Sequence, residues 1–297
     1  MTISISRRQA LAGSLLAIPA LATLTAAAPA RSGGKLESEL AKLEDRHGGR
    51  IGVAIINLAT GRRLTHRADE RFLLCSTFKA LTAGHILARV DKGEEQLDRR
   101  IVYTKNDLVN WSPITEKHVG GTGMSVAELC QATVTLSDNA AANLLLKSFG
   151  GPAGLTAFLR SLGDEITRLD RFETELNVHE KPGDLRDTTT PTAMLETLRK
   201  LLFGDVLSRS SRAQLAAWMV MNKTGDEKLR AGFPDGWMIG DKTGGNGDKH
   251  GNSNDVAVAW SPDRGAVIVT AYCEIPSVPE KKRAAVLADI GRIASQV

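Results

Sequence analysis

Cysteine is scarce: Cys75, Cys130 and Cys273 are the only three in a chain of 297 residues. So few thiols, and an odd number, cannot staple a fold, which excludes a disulfide-framework protein. Aromatic residues make up 4% of the chain, too few for a base-stacking surface. The net charge of +4 is small and evenly spread, so no basic face for nucleic acid is present. Metal chemistry lacks a motif, because the six histidines are scattered and form no H-x-H or H-E-x-x-H pair. A Walker loop and a Gly-x-Ser-x-Gly elbow are also missing. The sequence thus implies no metal and no cofactor, and a histidine-based triad would need tertiary contacts alone. What is there, 42% hydrophobic and 24% charged residues, suits a globular chain long enough for one or two cores.

One apolar run stands apart from the rest. Arg7 and Arg8 are the only charges before Arg31, and the run from Leu11 to about Ala28 is broken by Pro19. It is short for a membrane-spanning helix. Ala28-Pro29-Ala30 has the small residues of a signal-peptidase site, and Ser6-Arg7-Arg8-Gln9-Ala10-Leu11 resembles the twin-arginine export motif. Residues 1–30 therefore read as a signal peptide. The mature chain is expected in the periplasm or the medium, with no stable membrane association after cleavage. Ser32-Gly33-Gly34-Lys35, just beyond, reads as a frayed end.

Strand patterns sit at both ends of the remainder and helical patterns fill the middle. Ile51–Ile56 and Arg63–His66 flank the Thr60-Gly61 turn as a hairpin. Ser125-Val126-Ala127-Glu128 is a capping box, and Thr190-Pro191 opens another helix. Strands return at Trp237–Asp241, Asp255–Trp260 and Ala266–Cys273, before a closing amphipathic helix from Pro279 to Ala294. The pattern predicts an α/β fold of the α+β type: an antiparallel sheet built from both chain ends and flanked by helices, plus an inserted all-helical domain. Residues 31–70 and 215–297 would form the α/β domain and 71–214 the helical one, with the active site between them. The stretch from Arg171 to Pro191 is long, polar and poorly periodic, and a loop of that length inside a compact domain is usually functional or disordered.

A serine hydrolase without histidine needs another base, and a buried lysine can serve. Ser76-Thr77-Phe78-Lys79 places hydroxyl and amine three residues apart, on one helical face. Ser137-Asp138-Asn139 occurs once, between two helices, and also suits a plain helix N-cap. Lys-Thr-Gly occurs twice. Lys223-Thr224-Gly225 follows a helix and reads as its C-terminal turn, whereas Lys242-Thr243-Gly244 ends a strand and runs on into Gly245-Asn246-Gly247. The strand copy is the better place to hold a ligand rigidly.

S-x-x-K, S-D-N and K-T-G in this order resemble the penicillin-recognising serine enzymes. Arg171-Phe172-Glu173-Thr174-Glu175-Leu176-Asn177 is similar to the E-x-x-L-N segment of the class A β-lactamase omega loop, and Arg186–Pro191 to that loop's end. The resemblance covers about Leu36 to Val297 and implies a monomeric enzyme acting on a small-molecule β-lactam, without nucleic acid. Ser76 would then be the nucleophile, and Lys79 a proton acceptor or relay. Ser137 would pass a proton to the lactam nitrogen. Glu173 would be the deacylating base, holding water with Asn177. The resemblance leaves open whether Lys79 or Glu173 is the acylation base. Backbone N–H groups of Ser76 and Gly245 would form the oxyanion hole. Asn139, Lys242, Thr243, Gly244 and, at the mouth, Trp111 would bind substrate. Arg171 and Asp187 would close the loop, with Glu175 and Asp184 as solvated charges. Ser253 stands where many members have an arginine, and Arg230, twelve residues before Lys242, would replace it as the carboxylate's partner. A D-Ala-D-Ala carboxypeptidase or related penicillin-binding peptidase is the alternative reading. It would not need Glu173 and Asn177.

Overall fold

The computed structural model describes residues 33–181, 183–247, 251–276 and 278–297. The stretch read as a signal peptide lies outside the described residues. The helices are α1 (Gly33–His47), α2 (Phe78–Asp91), α3 (Val126–Thr135), α4 (Asn139–Lys147), α5 (Gly151–Ser161), α6 (Pro191–Phe203), α7 (Arg209–Val220), α8 (Leu229–Gly232) and α9 (Glu280–Ala294). The strands are β1 (Arg50–Asn57), β2 (Arg63–His66), β3 (Phe72–Leu73), β4 (Arg100–Ile101), β5 (Met124–Ser125), β6 (Thr188–Thr189), β7 (Met238–Gly245), β8 (Asn252–Ser261) and β9 (Gly265–Glu274).

Five strands form an antiparallel sheet in the order β2-β1-β9-β8-β7. Its centre joins the two ends of the chain, since β1 pairs with β9 from Arg50↔Glu274 to Asn57↔Val267. β1, β8 and β9 are buried along most of their length because both faces of the sheet are covered. Ile51, Val53 and Ile55 face α1 and α9, packing with Leu40, Leu43, Leu287 and Ile290. Ala54, Ile56, Val258 and Ile268 face the other way and share one apolar cluster with Phe78, Leu81, Met194 and Leu198 of the helical segment.

Local chemistry sets several of these boundaries. Ser125 and Glu128 make both bonds of a capping box at α3. The Thr190 hydroxyl caps α6 ahead of Pro191. One terminus was misread from composition: Gly33–Lys35 is the first turn of α1 and not a frayed end. Leu36, Leu40 and Leu43 recur at helical spacing on the buried side of α1, and that burial outweighs the two glycines. The strand carrying the second Lys-Thr-Gly copy also runs longer than its apolar part, because β7 pairs with β8 through Gly245↔Ser253.

Candidate active site

Ser76 lies in a 3-10 turn, Cys75–Thr77, that leads directly into α2. The S-x-x-K spacing does there what helix geometry demands: Lys79 Nζ donates to Ser76 Oγ at 3.0 Å. Close approach of β7 to this turn leaves little room for a side chain at Gly244. A Cβ there would stand 3.0 Å from the Leu74 carbonyl oxygen, 3.1 Å from Cys75 Cβ and 3.2 Å from the Ser76 nitrogen.

Lys79 is wholly buried and its ammonium is surrounded by acceptors. It reaches the Ser137 carbonyl at 2.9 Å, Ser137 Oγ at 3.2 Å, Asn139 Oδ1 and, as an ion pair, Glu173 Oε1 at 2.9 Å. Burial pulls its pKa below the ordinary lysine value, and Glu173 opposes that shift. Glu173 Oε1 also accepts from Ser76 Oγ at 3.2 Å. One serine hydroxyl therefore touches both an amine and a carboxylate.

Ser-Asp-Asn divides its labour. Asp138 is the N-cap of α4, accepting from Ala141 N at 2.9 Å, and it fixes the 114–115 turn through both oxygens. Its neighbours turn into the cleft instead. Ser137 has a left-handed φ of 58° and holds its hydroxyl between Lys79 and Lys242, the latter at 3.1 Å. Asn139 Nδ2 donates to the Asn110 carbonyl at 2.8 Å. Trp111, also at positive φ, is 60% exposed and donates its indole N–H to the Leu136 carbonyl, so it is a cleft wall and not core. Non-glycine residues at positive φ cost about 1–3 kcal/mol each, and Cys75, Trp111 and Ser137 concentrate that strain at one site.

The 171–187 loop is closed at its neck. Asp187 is buried, accepts the backbone N–H groups of Asp170 and Arg171, and pairs with Arg171 Nε at 2.7 Å. Inside the loop, Asn143 clamps the backbone of Glu173 from both sides at 2.9 Å. Asn177 Nδ2 donates to Glu173 Oε2 at 2.6 Å. Asp184 is not the solvated charge expected from its surroundings in sequence. It is buried against Arg186 at 2.7 Å, which holds its carboxyl below the usual carboxylate range.

A cleft of about 1220 Å³ is lined by Ser76, Ser137, Asn139, Glu173, Asn177 and Thr243, with Gly244, Gly245 and Trp111 on its walls. Lys79 and Lys242 lie just beneath the floor. Lys242 Nζ donates to the Thr243 carbonyl at 2.8 Å, and burial, helped by Lys79, lowers its pKa to about 7. Arg230 departs from expectation. It is not among the cleft-lining residues but pairs with buried Asp241, the residue before Lys242. Two residues earlier, Lys228 reaches the cleft wall. No motif marks Lys228 in the sequence, where an arginine is the expected partner of a carboxylate. The Lys223-Thr224-Gly225 copy was also undervalued as a helix end: Thr224 lines the cleft and its hydroxyl meets that of Thr243 at 2.5 Å. Asn110, Asn143, Asn246 and Glu280 belong to the site without any motif to mark them.

A serine hydroxyl against a buried lysine, a carboxylate on a clamped loop and a strand-borne lysine thus meet at one cleft, the donor set of a serine hydrolase that uses lysine in place of histidine. A model of the Beta-lactamase enzyme family matches residues 35–297. Beta-lactamase FAR-1 of Nocardia farcinica is 49% identical over 86% of this chain and 80% of its own length. Beta-lactamase L2 of Stenotrophomonas maltophilia is 45% identical over 96% of this chain and 94% of its own. A solved ancestral class A β-lactamase superposes with a TM-score of 0.85 at 60% identity, covering 88% of this chain and 99% of its own. The chain belongs to the class A β-lactamases, hydrolases that open the β-lactam ring and so underlie resistance to these antibiotics.

Proposed function

We propose that this enzyme hydrolyses penicillins and cephalosporins through an ester on Ser76 that a Glu173-activated water cleaves. One observation carries the reading: Ser76 Oγ is 3.0 Å from Lys79 Nζ and 3.2 Å from Glu173 Oε1. In acylation, Ser76 Oγ attacks the lactam carbonyl carbon while Lys79 or Glu173 takes its proton. Ser137, bonded to both lysines, passes a proton to the departing lactam nitrogen. The oxyanion is received by the backbone N–H groups of Ser76 and Gly245. Glu173 then removes a proton from a water held with Asn177, the water attacks the ester, and Ser76 recovers its proton. Lys242 and Thr243 bind the substrate carboxylate, with Lys228 in the part first given to Arg230. Asn139 holds the side-chain amide, and Trp111 guards the mouth.

The exported, monomeric state belongs to the same reading. Export is read from the N-terminal sequence, and among the described residues no helix is long and apolar enough to cross a membrane. Residues 31–70 with 215–297, and residues 71–214, are read as its two domains. The test is steady-state hydrolysis of a penicillin, a cephalosporin and a D-Ala-D-Ala peptide. Turnover of both lactams without peptide cleavage is expected. Peptide cleavage with a stalled penicillin adduct would favour the peptidase instead.

A further inference from the structure

The carboxylate end of the cleft already contains a carboxylate. Lys228 Nζ donates to Ser253 Oγ at 2.9 Å and pairs with Glu280 Oε1 at 2.9 Å. Ser253 Oγ in turn donates to that same Glu280 oxygen at 3.0 Å. Both Lys228 and Glu280 line the cleft that holds Ser76 and Thr243. We propose that Glu280 is an internal counter-ion which the substrate's carboxylate must displace from Lys228, so that Glu280 sets the enzyme's affinity for carboxylate-bearing lactams. This rests on the β-lactam reading of the site given above.

The two partners differ in a way that makes exchange feasible. Lys228 is only 12% exposed in its side chain, but its ammonium is a point charge on a flexible four-carbon stem. Glu280 is 43% exposed and stands at the N-terminus of α9, where helix geometry favours a negative charge. Its other oxygen, Oε2, is held by buried Arg283 at 2.9 Å. The Glu280 carboxylate therefore keeps a cation and a helix end after Lys228 swings away. Until then, an incoming carboxylate meets an anion beside its cation, and like charges at that range repel. Lys242, held at the floor by Ser137 and the Thr243 carbonyl, attracts the same carboxylate but does not part Lys228 from Glu280.

The experiment compares wild type, Glu280→Gln, Lys228→Ala and the double variant on a penicillin and on its methyl ester. Glu280→Gln keeps the shape and removes the charge. KM for the free acid should fall about 1.5- to 5-fold, the range of one partly exposed ion pair, with kcat nearly unchanged. KM for the ester should not move, and the Glu280 effect on the acid should vanish in the Lys228→Ala background. Glu280→Ala, checked by thermal melting, should shift KM in the same direction and guards against a fold defect peculiar to one variant. An unchanged or raised KM for the acid, or an equal shift with the ester, overturns the proposal. A wild type that hydrolyses neither compound would instead sink the β-lactam reading itself.

Discussion

Replacing Glu173 by Gln isolates the second half of the catalytic cycle. The loop should survive the change, since Asn143 grips only the backbone N–H and carbonyl of residue 173. What disappears is the anion 2.9 Å from Lys79 Nζ, in a pair whose side chains are both fully buried. A buried lysine left charged without its partner would cost about 3–5 kcal/mol. Lys79, whose pKa burial already lowers, avoids that cost by shedding its proton. It then stands as a neutral amine 3.0 Å from Ser76 Oγ, able to take the serine proton. Acylation should therefore persist. Deacylation should not, because Glu173 is the cleft carboxylate that Asn177 holds at 2.6 Å, and its amide replacement cannot take a proton from water. Loss of a general base slows a step by about 10²–10⁴, equivalent to about 3–5 kcal/mol on its barrier. Mixed with a chromogenic cephalosporin, Glu173→Gln should give a burst equal to the enzyme concentration and then nearly stop. Intact-mass spectrometry should find one adduct, on Ser76. A variant that turns over at the wild-type rate with no adduct would refute the assignment of the base. A folded variant that never acylates would refute the argument that Lys79 suffices for the first step.

Arg230→Ala should destabilise the protein by about 3 kcal/mol, because it strips the cation from buried Asp241, whereas Lys228→Ala should raise KM for penicillin with a smaller loss of melting temperature. Lys242 is protonated below its pKa of about 7 and neutral above it, so kcat/KM should decline as pH rises through that value. Lys242→Arg, which stays charged, should remove the decline. His85 is stacked on Phe158 at 4.2 Å, and burial lowers its pKa from 6.5 to about 4. The unfolded chain binds its proton first as pH falls, so stability is full above about 6.5 and drains away down to about 4. Urea denaturation across that window should show a loss of up to about 2 kcal/mol after solvent screening, and His85→Phe should flatten it.

Features that depend on a few consecutive residues were legible without coordinates. Helix periodicity puts residues three apart on one face, so Ser76 and Lys79 had to meet. Capping boxes are equally local, and the Ser125–Glu128 start of α3 followed from hydroxyl and carboxylate spacing alone. The antiparallel sheet joining both chain ends was readable from where strand patterns fell. Asp138 shows the limit of motif reading: the N-cap role and the site role were posed as rivals, yet the cap belongs to Asp138 and the site to its two neighbours.

Side chains far apart in sequence were assigned by packing. Arg230 and Lys228 differ by two positions on a short helical turn, enough to send one to Asp241 and the other to the cleft. No periodicity distinguishes them, because the choice depends on which face of the turn meets β7 and β8. The two Lys-Thr-Gly copies sit 19 residues apart and touch only because the segment after α7 folds back along β7. Glu280 met Lys228 across 52 residues when α9 packed against the sheet. From its sequence alone, then, this protein determined the meeting of Ser76 with Lys79, its helix caps and the strand patterns at both chain ends, all set by short-range backbone geometry. The tertiary structure alone decided that Lys228 meets Glu280 at the cleft while Arg230 pairs with Asp241, because those partners are chosen by burial and by the docking of distant elements.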